Sequence, residues 1–202
     1  MKYPTKLNDL IDFYKSLPGI GDKNAVRLAL STYEMDQHKL DKLSDDLKNL
    51  KATIKKCTVC GNLSDNEICD ICSDSNRNHS IICVLEDFKS VYSFEKNNIF
   101  NGTYHVLGGL INPMDNINPE NLNIETLIDR VKNLDSPEVI IALTSSIEGE
   151  MTMLYLKRVL SKYNVKVTRL SYGVPLGMNL DYMDMISLNK ALEDRREILD
   201  ES

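Results

Sequence analysis

Ile81-Ile82-Cys83-Val84-Leu85-Glu86 is a run of five apolar residues closed by a carboxylate. Short apolar runs bounded by polar residues read as strands. Three further strands are predicted at 103–107, 138–143 and 165–170. Helical patterns alternate with them near 88–97, 122–133, 148–163 and 187–197. Such alternation predicts a mainly parallel sheet flanked by helices, an α/β domain over 80–172. Cys83 lies inside the first run and reads as a buried core thiol. The tail over 173–202 reads as a Gly173-Val174-Pro175-Leu176-Gly177 loop, an acidic stretch and a last helix.

Upstream of the sheet the pattern is helical, over 1–54. Leu7, Leu10, Ile11, Tyr14 and Leu17 have helical spacing, and Pro18-Gly19-Ile20-Gly21 breaks that helix. A second helix carries Ala25, Val26, Ala29, Leu30 and Tyr33 on one face. A third runs from about Gln37 to Ile54, with Leu40, Leu43, Leu47, Leu50 and Ile54 stepping by three and four. That stripe covers only about two heptads, so it predicts packing within a small bundle rather than a coiled coil. The opposite face carries Lys39, Lys42, Lys48, Lys51, Lys55 and Lys56 and reads as solvated surface.

Between helices and sheet, within 55–75, stand Cys57-Thr58-Val59-Cys60 and Cys69-Asp70-Ile71-Cys72. Each pair places two thiolates on a tight turn, and two facing turns make a tetrahedral four-sulfur cage that suits Zn²⁺. Gly61 lets the backbone turn away after the first pair. Four thiolates leave no open coordination position, so this zinc folds the loop and catalyses nothing. Structural zinc sites in peptides contribute about 10–16 kcal/mol at neutral pH. A loop with so few apolar side chains needs a term of that size.

The Pro18–Gly21 turn has a different chemistry. Glycines permit positive φ and let a phosphate approach the backbone. Amides after Gly19 and at the start of the next helix would point outward, a phosphate-binding geometry. Lys23 and Arg27 are four apart and share a helix face beside the turn. Gly19, Gly21, Lys23 and Arg27 are therefore the candidate DNA-binding residues, and the stretch looks like a helix-hairpin-helix motif. Asp22 can cap the helix but brings a negative charge to the same place.

Glu86 and Glu148-Gly149-Glu150 fall at the carboxyl edge of the predicted sheet, where open α/β sheets place their sites. The arrangement resembles the Toprim domain of topoisomerases and primases, which has a Glu after the first strand and an Asp-x-Asp before Glu-Gly-Glu. Here Thr144 and Ser146 occupy the two aspartate positions. Most of a metal site is missing, which leaves room only for weak Mg²⁺ binding. Glu86, Glu148 and Glu150 read instead as an acidic surface for a protein partner.

The 202 residues are 42% hydrophobic and 27% charged, which suits one globular domain or two small ones rather than a disordered chain. Ile81–Leu85 and Val139–Leu143 are far too short to span a bilayer, and Met1–Leu10 has no signal-like apolar run. The expectation is a cytoplasmic protein with no membrane role. The formal net charge of −6 disfavours nucleic acid as a partner, but it is unevenly spread. Residues 1–60 carry 11 Lys/Arg against 8 Asp/Glu, and residues 61–202 carry 13 against 22. A basic N-terminal segment restores that possibility.

Taken in order, these features resemble the RecR recombination-mediator family of bacteria. The residues that carry the resemblance are Leu17–Gly21 with Lys23 and Arg27, the four paired cysteines, and Ile82–Glu86. They continue with His105–Gly109, Ile147–Glu150, Gly173–Gly177 and Glu193–Glu197. The resemblance implies an α+β fold of several parts: a helix-hairpin-helix bundle, a four-cysteine zinc finger, a Toprim domain with a mainly parallel sheet, and a C-terminal arm. It implies a non-enzymatic DNA-repair protein that assembles as a ring-like tetramer and works with RecO and RecF. Its task would be to load RecA on single-stranded DNA, with single strands or junctions as the DNA partner. Asp22, Tyr172, Met178, Asn116 and Asn118 depart from that family's pattern. Two rival readings are a Mg²⁺-dependent Toprim nuclease or primase, opposed by Thr144 and Ser146, and a zinc-stabilised interaction module, opposed by the basic hairpin.

Overall fold

The computed structural model describes residues 3–171, 173–174, 177–195 and 197. Tyr172, Pro175, Leu176 and Arg196, on which parts of the tail reading fall, lie outside the described residues. The chain divides into two compact units, Met1–Ile54 and Lys55–Ser202.

In the first unit, α1 (Thr5–Lys15) and α2 (Asp22–Tyr33) pack against each other as a helical hairpin. Ile11, Ala25 and Ala29 are its buried centre, with Leu7, Leu10, Tyr14, Ile20 and Val26 packed around them. Two alanines at the contact let the helices approach closely. The Tyr14 hydroxyl lies 2.8 Å from Thr32 Oγ1 and ties the two helices together. α3 (Gln37–Thr53) starts at Asp36, whose carboxylate accepts from the Lys39 amide at 3.0 Å. The bundle packing expected for α3 is not found: it has no buried residue, and Leu43, Leu47 and Leu50 are exposed.

The second unit begins with β1 (Lys55–Lys56) and β2 (Leu63–Ser64), a two-residue antiparallel pair. A one-turn helix α4 (Asp70–Ser73) follows, which the cysteine spacing did not announce. Then come β3 (Asn78–Leu85), α5 (Phe88–Asn97), β4 (Gly102–Val106), α6 (Ile124–Lys132), β5 (Glu138–Ala142), α7 (Ile147–Leu160), β6 (Lys166–Arg169) and α8 (Met185–Glu193). The four long strands form one parallel sheet in the order β4-β3-β5-β6.

Alternate side chains of β3 face opposite sides of the sheet, and the two cores follow from that period. Ile82 and Val84 join Val139 and Ile141 of β5 and are covered by Leu127 and Val131 of α6 and Leu156 and Leu160 of α7. Cys83 and Leu85 join Tyr104 and Val106 of β4 and are covered by Val91 of α5. Cys83 is 1% exposed, as a core thiol should be. Burial pushes it up to about 12, so it is a poor nucleophile.

Boundaries moved where polar residues masked an element. β3 begins at Asn78, with its register shifted between Asn78 and Ile82, because Asn78 and Ser80 interrupt the apolar pattern. α8 begins at Met185 rather than 187, since Asp184 caps it by accepting from the Ser187 amide at 2.9 Å, and it stops at Glu193.

Candidate functional site

The strand order puts a topological switch between β3 and β5: the chain leaves β3 toward β4 and later returns to its other side. Crevices form at such points outside the carboxyl ends of the strands. Glu86 follows β3 and Thr144 follows β5, and they meet there. The Thr144 hydroxyl donates to Glu86 Oε2 at 2.6 Å. Two residues on, Ser146 caps α7, its hydroxyl oxygen accepting from the Gly149 amide at 3.1 Å. Glu148 is held below its usual carboxylate range by hydrogen bonds from its own backbone N–H and from Ser146. The two hydroxyl residues at the family's aspartate positions are therefore bound up with the two glutamates.

Gly149 has a steric reason to be glycine. A Cβ there would lie 1.9 Å from the Thr144 carbonyl oxygen. Only a hydrogen at that position lets α7 start so close to the end of β5. Glu150 faces elsewhere: its Oε1 accepts from Lys190 Nζ of α8 at 2.6 Å, and Arg169 pairs with Asp194 at 2.6 Å. Among the described residues, these ion pairs tie the C-terminal arm to the sheet edge. A cavity of about 220 Å³ lies beneath, lined by Thr144, Ser145, Glu150 and Arg169 among others. Glu86, Glu148 and Glu150 do not converge on a shared cation site. Among the described residues, the four paired cysteines are the one group of three or more possible ligands gathered closely enough.

Those four sulfurs lie within 4.8 Å of one another, with Cys57, Cys60 and Cys69 buried. Cys60 and Cys69 Sγ are 3.6 Å apart. A tetrahedral zinc with Zn–S bonds of about 2.3 Å needs sulfur–sulfur spacings of about 3.8 Å. The donor set therefore fits a structural zinc. The turns are built for it: the Asn62 amide donates to Cys60 Sγ at 3.5 Å, and the Cys69 amide to Cys57 Sγ at 3.3 Å. Hydrogen bonding with Cys60, then Cys72, holds the Cys69 thiol far below its ordinary value, while its partner Cys60 is pushed up.

The knuckle is fastened to the sheet. The Val106 amide of β4 donates to the Cys60 carbonyl at 2.7 Å. Gly61 has φ +76°, and a Cβ there would meet the Val106 carbonyl at 2.9 Å. Below the knuckle, Glu95 of α5 accepts from both terminal nitrogens of Arg77 and, at 2.6 Å, from the Tyr104 hydroxyl. Sequence reading did not find this triad, because its members are 18 and 9 residues apart and carry no motif.

In the N-terminal unit, Gly19 has φ +78° and nothing lies within 4 Å of a Cβ built there, so the turn is open to solvent. Gly21 is the N-cap of α2 and offers no side chain, which leaves the first amides of that helix uncapped. Lys23 and Arg27 are exposed and have no ion pair among the described residues. Asp22, which would repel a phosphate, is paired with Lys15 at 2.9 Å. No helix of the described residues is long and apolar enough to cross a membrane.

Four family models match the chain in succession. They are a RecR helix-hairpin-helix over residues 7–51, a RecR four-cysteine zinc finger domain over 54–74, a Toprim domain over 80–171 and a RecR C-terminal model over 173–196. The chain is 48% identical over 198 residues to the recombination protein RecR of Finegoldia magna, covering 97% of this chain and 98% of that one. It is 43% identical over 198 residues to the recombination protein RecR of Staphylococcus haemolyticus, covering 98% of this chain and 100% of that one.

Proposed function

The chain belongs to the RecR family, a family of recombination and repair, and from that premise we propose that it is a DNA-binding recombination mediator without catalytic activity. Its DNA would be single-stranded or junction DNA. It would act with RecO and RecF to load RecA, in the cytoplasm at the nucleoid.

Gly19 and Gly21 would let a phosphate reach the backbone, while Lys23 and Arg27 supply charge to it. Two exposed cations make weak contacts alone. A tetrameric ring would gather several such surfaces around one DNA, and multivalency would raise the affinity. Cys57, Cys60, Cys69 and Cys72 would hold Zn²⁺, whose contribution is to order the knuckle against β4.

The observation that carries the non-catalytic reading is the pair of hydroxyl contacts at the switch point. Phosphoryl transfer by two metals needs carboxylates arranged to hold both ions beside the scissile phosphate. Here Thr144 is bound to Glu86 and Ser146 to Glu148, and neither hydroxyl residue brings a charge. Any Mg²⁺ binding would be weak. The same edge would meet a basic surface of RecO, with Glu86 and Glu148 presented directly and Glu150 only after exchange of Lys190.

The test is DNA binding at several salt concentrations by wild type and by the Lys23→Ala/Arg27→Ala double variant. The variant should bind more weakly to every sequence, with a salt slope shallower by about one to two units. An unchanged slope would reject the hairpin as the phosphate site. A Glu148→Lys variant should lose RecO affinity, more at low salt than at high, while keeping its zinc. Mg²⁺-dependent cleavage or primer synthesis by wild type, abolished by Glu86→Gln, would restore the enzyme reading.

A further inference from the structure

Arg130 stands in the last turn of α6, where a cation normally points to solvent beside the carbonyl end of its helix. Instead it turns inward. Its Nη1 donates to the Tyr104 carbonyl at 2.6 Å and its Nη2 to Thr103 Oγ1 at 2.7 Å, both on β4. Thr103 and Tyr104 are buried and Arg130 is half-buried, so the guanidinium lies against the sheet edge, partly withdrawn from water. A cation held away from water calls for a negative partner. No carboxylate pairs with Arg130 among the described residues, and its neighbour Asp129 is taken by Lys132 at 2.9 Å.

The cysteine cluster meets the same strand two residues on, where the Val106 amide donates to the Cys60 carbonyl at 2.7 Å. Arg130 lines a cavity of about 380 Å³ together with Thr58 and Val59, the two residues between Cys57 and Cys60. Burial lowers the affinity of Arg130 for its proton, and Cys72, Cys60, Cys57 and Cys69 each raise it, in that order. Four thiolates around one Zn²⁺ carry a formal charge of about −2, which costs heavily in a partly dry site unless a cation stands near.

We propose that Arg130 is a positioning residue of the metal centre. Its guanidinium, held against β4 by Tyr104 and Thr103, offsets part of the thiolate charge. The inference rests on zinc occupying Cys57, Cys60, Cys69 and Cys72. Groups outside the ligand set commonly change metal affinity about 10–100-fold.

The test is zinc competition against a coloured chelator, run on the full chain, with the thermal midpoint measured in parallel. Arg130→Met should weaken zinc binding about tenfold or more. Arg130→Lys, which keeps the charge and loses the planar fork, should recover most of that loss. Thr103→Val removes one anchor and no charge, so it should lower the midpoint while holding zinc nearly as wild type does. If Arg130→Met fails to fold, Arg130→Gln carries the comparison, since its amide can still donate to β4. Wild-type affinity in the neutral variants would overturn the proposal. So would equal losses in Arg130→Lys and Arg130→Met, or a loss in Thr103→Val as large as theirs. A wild-type chain purified without chelator and free of zinc would sink the zinc reading itself, a result distinct from any of these.

Discussion

At the scale of single residues, the sharpest constraints are steric and protonic. Gly149 was legible as part of Glu148-Gly149-Glu150, but the reason for the glycine was not. It lies in the Thr144 carbonyl, which a Cβ would approach to 1.9 Å. Neither the backbone oxygen nor the helix start can yield without shifting the end of β5. Gly149→Ala should therefore cost about 3 kcal/mol or more. At about 2–4 °C per kcal/mol for a chain of this size, the thermal midpoint should fall by about 6–12 °C. An unchanged midpoint would mean that α7 begins elsewhere. His105 makes a second residue-scale case. It is fully buried, its Nε2 donates to the Asn123 carbonyl at 2.6 Å, and its Nδ1 is buried without a partner among the described residues. Burial pushes it down to about 4 from an ordinary 6.5, with Arg130 adding to the same direction. The folded chain prefers the neutral ring, so the unfolded chain binds more protons between those values. The stabilisation is complete above about pH 6.5 and is lost as the pH falls toward about 4, to a total of about 3 kcal/mol. His105→Gln should flatten the fall in thermal midpoint between about pH 7 and pH 5, while wild type keeps it.

At the scale of elements, the cysteine knuckle has little core beyond its own sulfurs. Cys57, Cys60 and Cys69 form its buried cluster, with Val59, Ile71 and Cys72 partly buried around them. Removing the metal should release the knuckle before the sheet, because the sheet has its own two cores. Chelation should expose the segment 57–72 to limited proteolysis while far-UV circular dichroism retains most of its helix signal. Simultaneous loss of both would show that knuckle and sheet unfold as one. Cys72→Ala should lose zinc by metal analysis, with the same cleavage pattern. The knuckle was readable in advance because ligand spacing is a local property. α3 was readable as a helix for the same reason, through its period of three and four. Its partner was not readable. A leucine stripe specifies that something apolar should cover it, and periodicity alone names no occupant.

At the scale of the whole molecule, the C-terminal arm returns to the sheet through Lys190–Glu150 and Arg169–Asp194. These pairs are only partly buried, so each contributes about 1 kcal/mol or less. They set where the arm rests more than how stable the chain is. Lys190→Ala should leave the thermal midpoint within about 2 °C of wild type and speed cleavage by protease within residues 177–184. Equal cleavage rates would place the hold on the arm elsewhere. Sequence by itself determined the element types, the parallel α/β alternation, the gathering of the four paired cysteines by their spacing and the basic character of the first 60 residues. Each of these is a local or periodic property, fixed by neighbours a few residues away. Tertiary structure decided what meets across distance. It paired Glu86 with Thr144, 58 residues on, bound Glu150 to Lys190 rather than leaving it with the other glutamates, and drew Arg130 beneath β4. Among the described residues it also left α3 without a buried side chain. Such contacts depend on strand order and on which cavity a long side chain can enter, and one strand crossing over another can bring any two loop residues together.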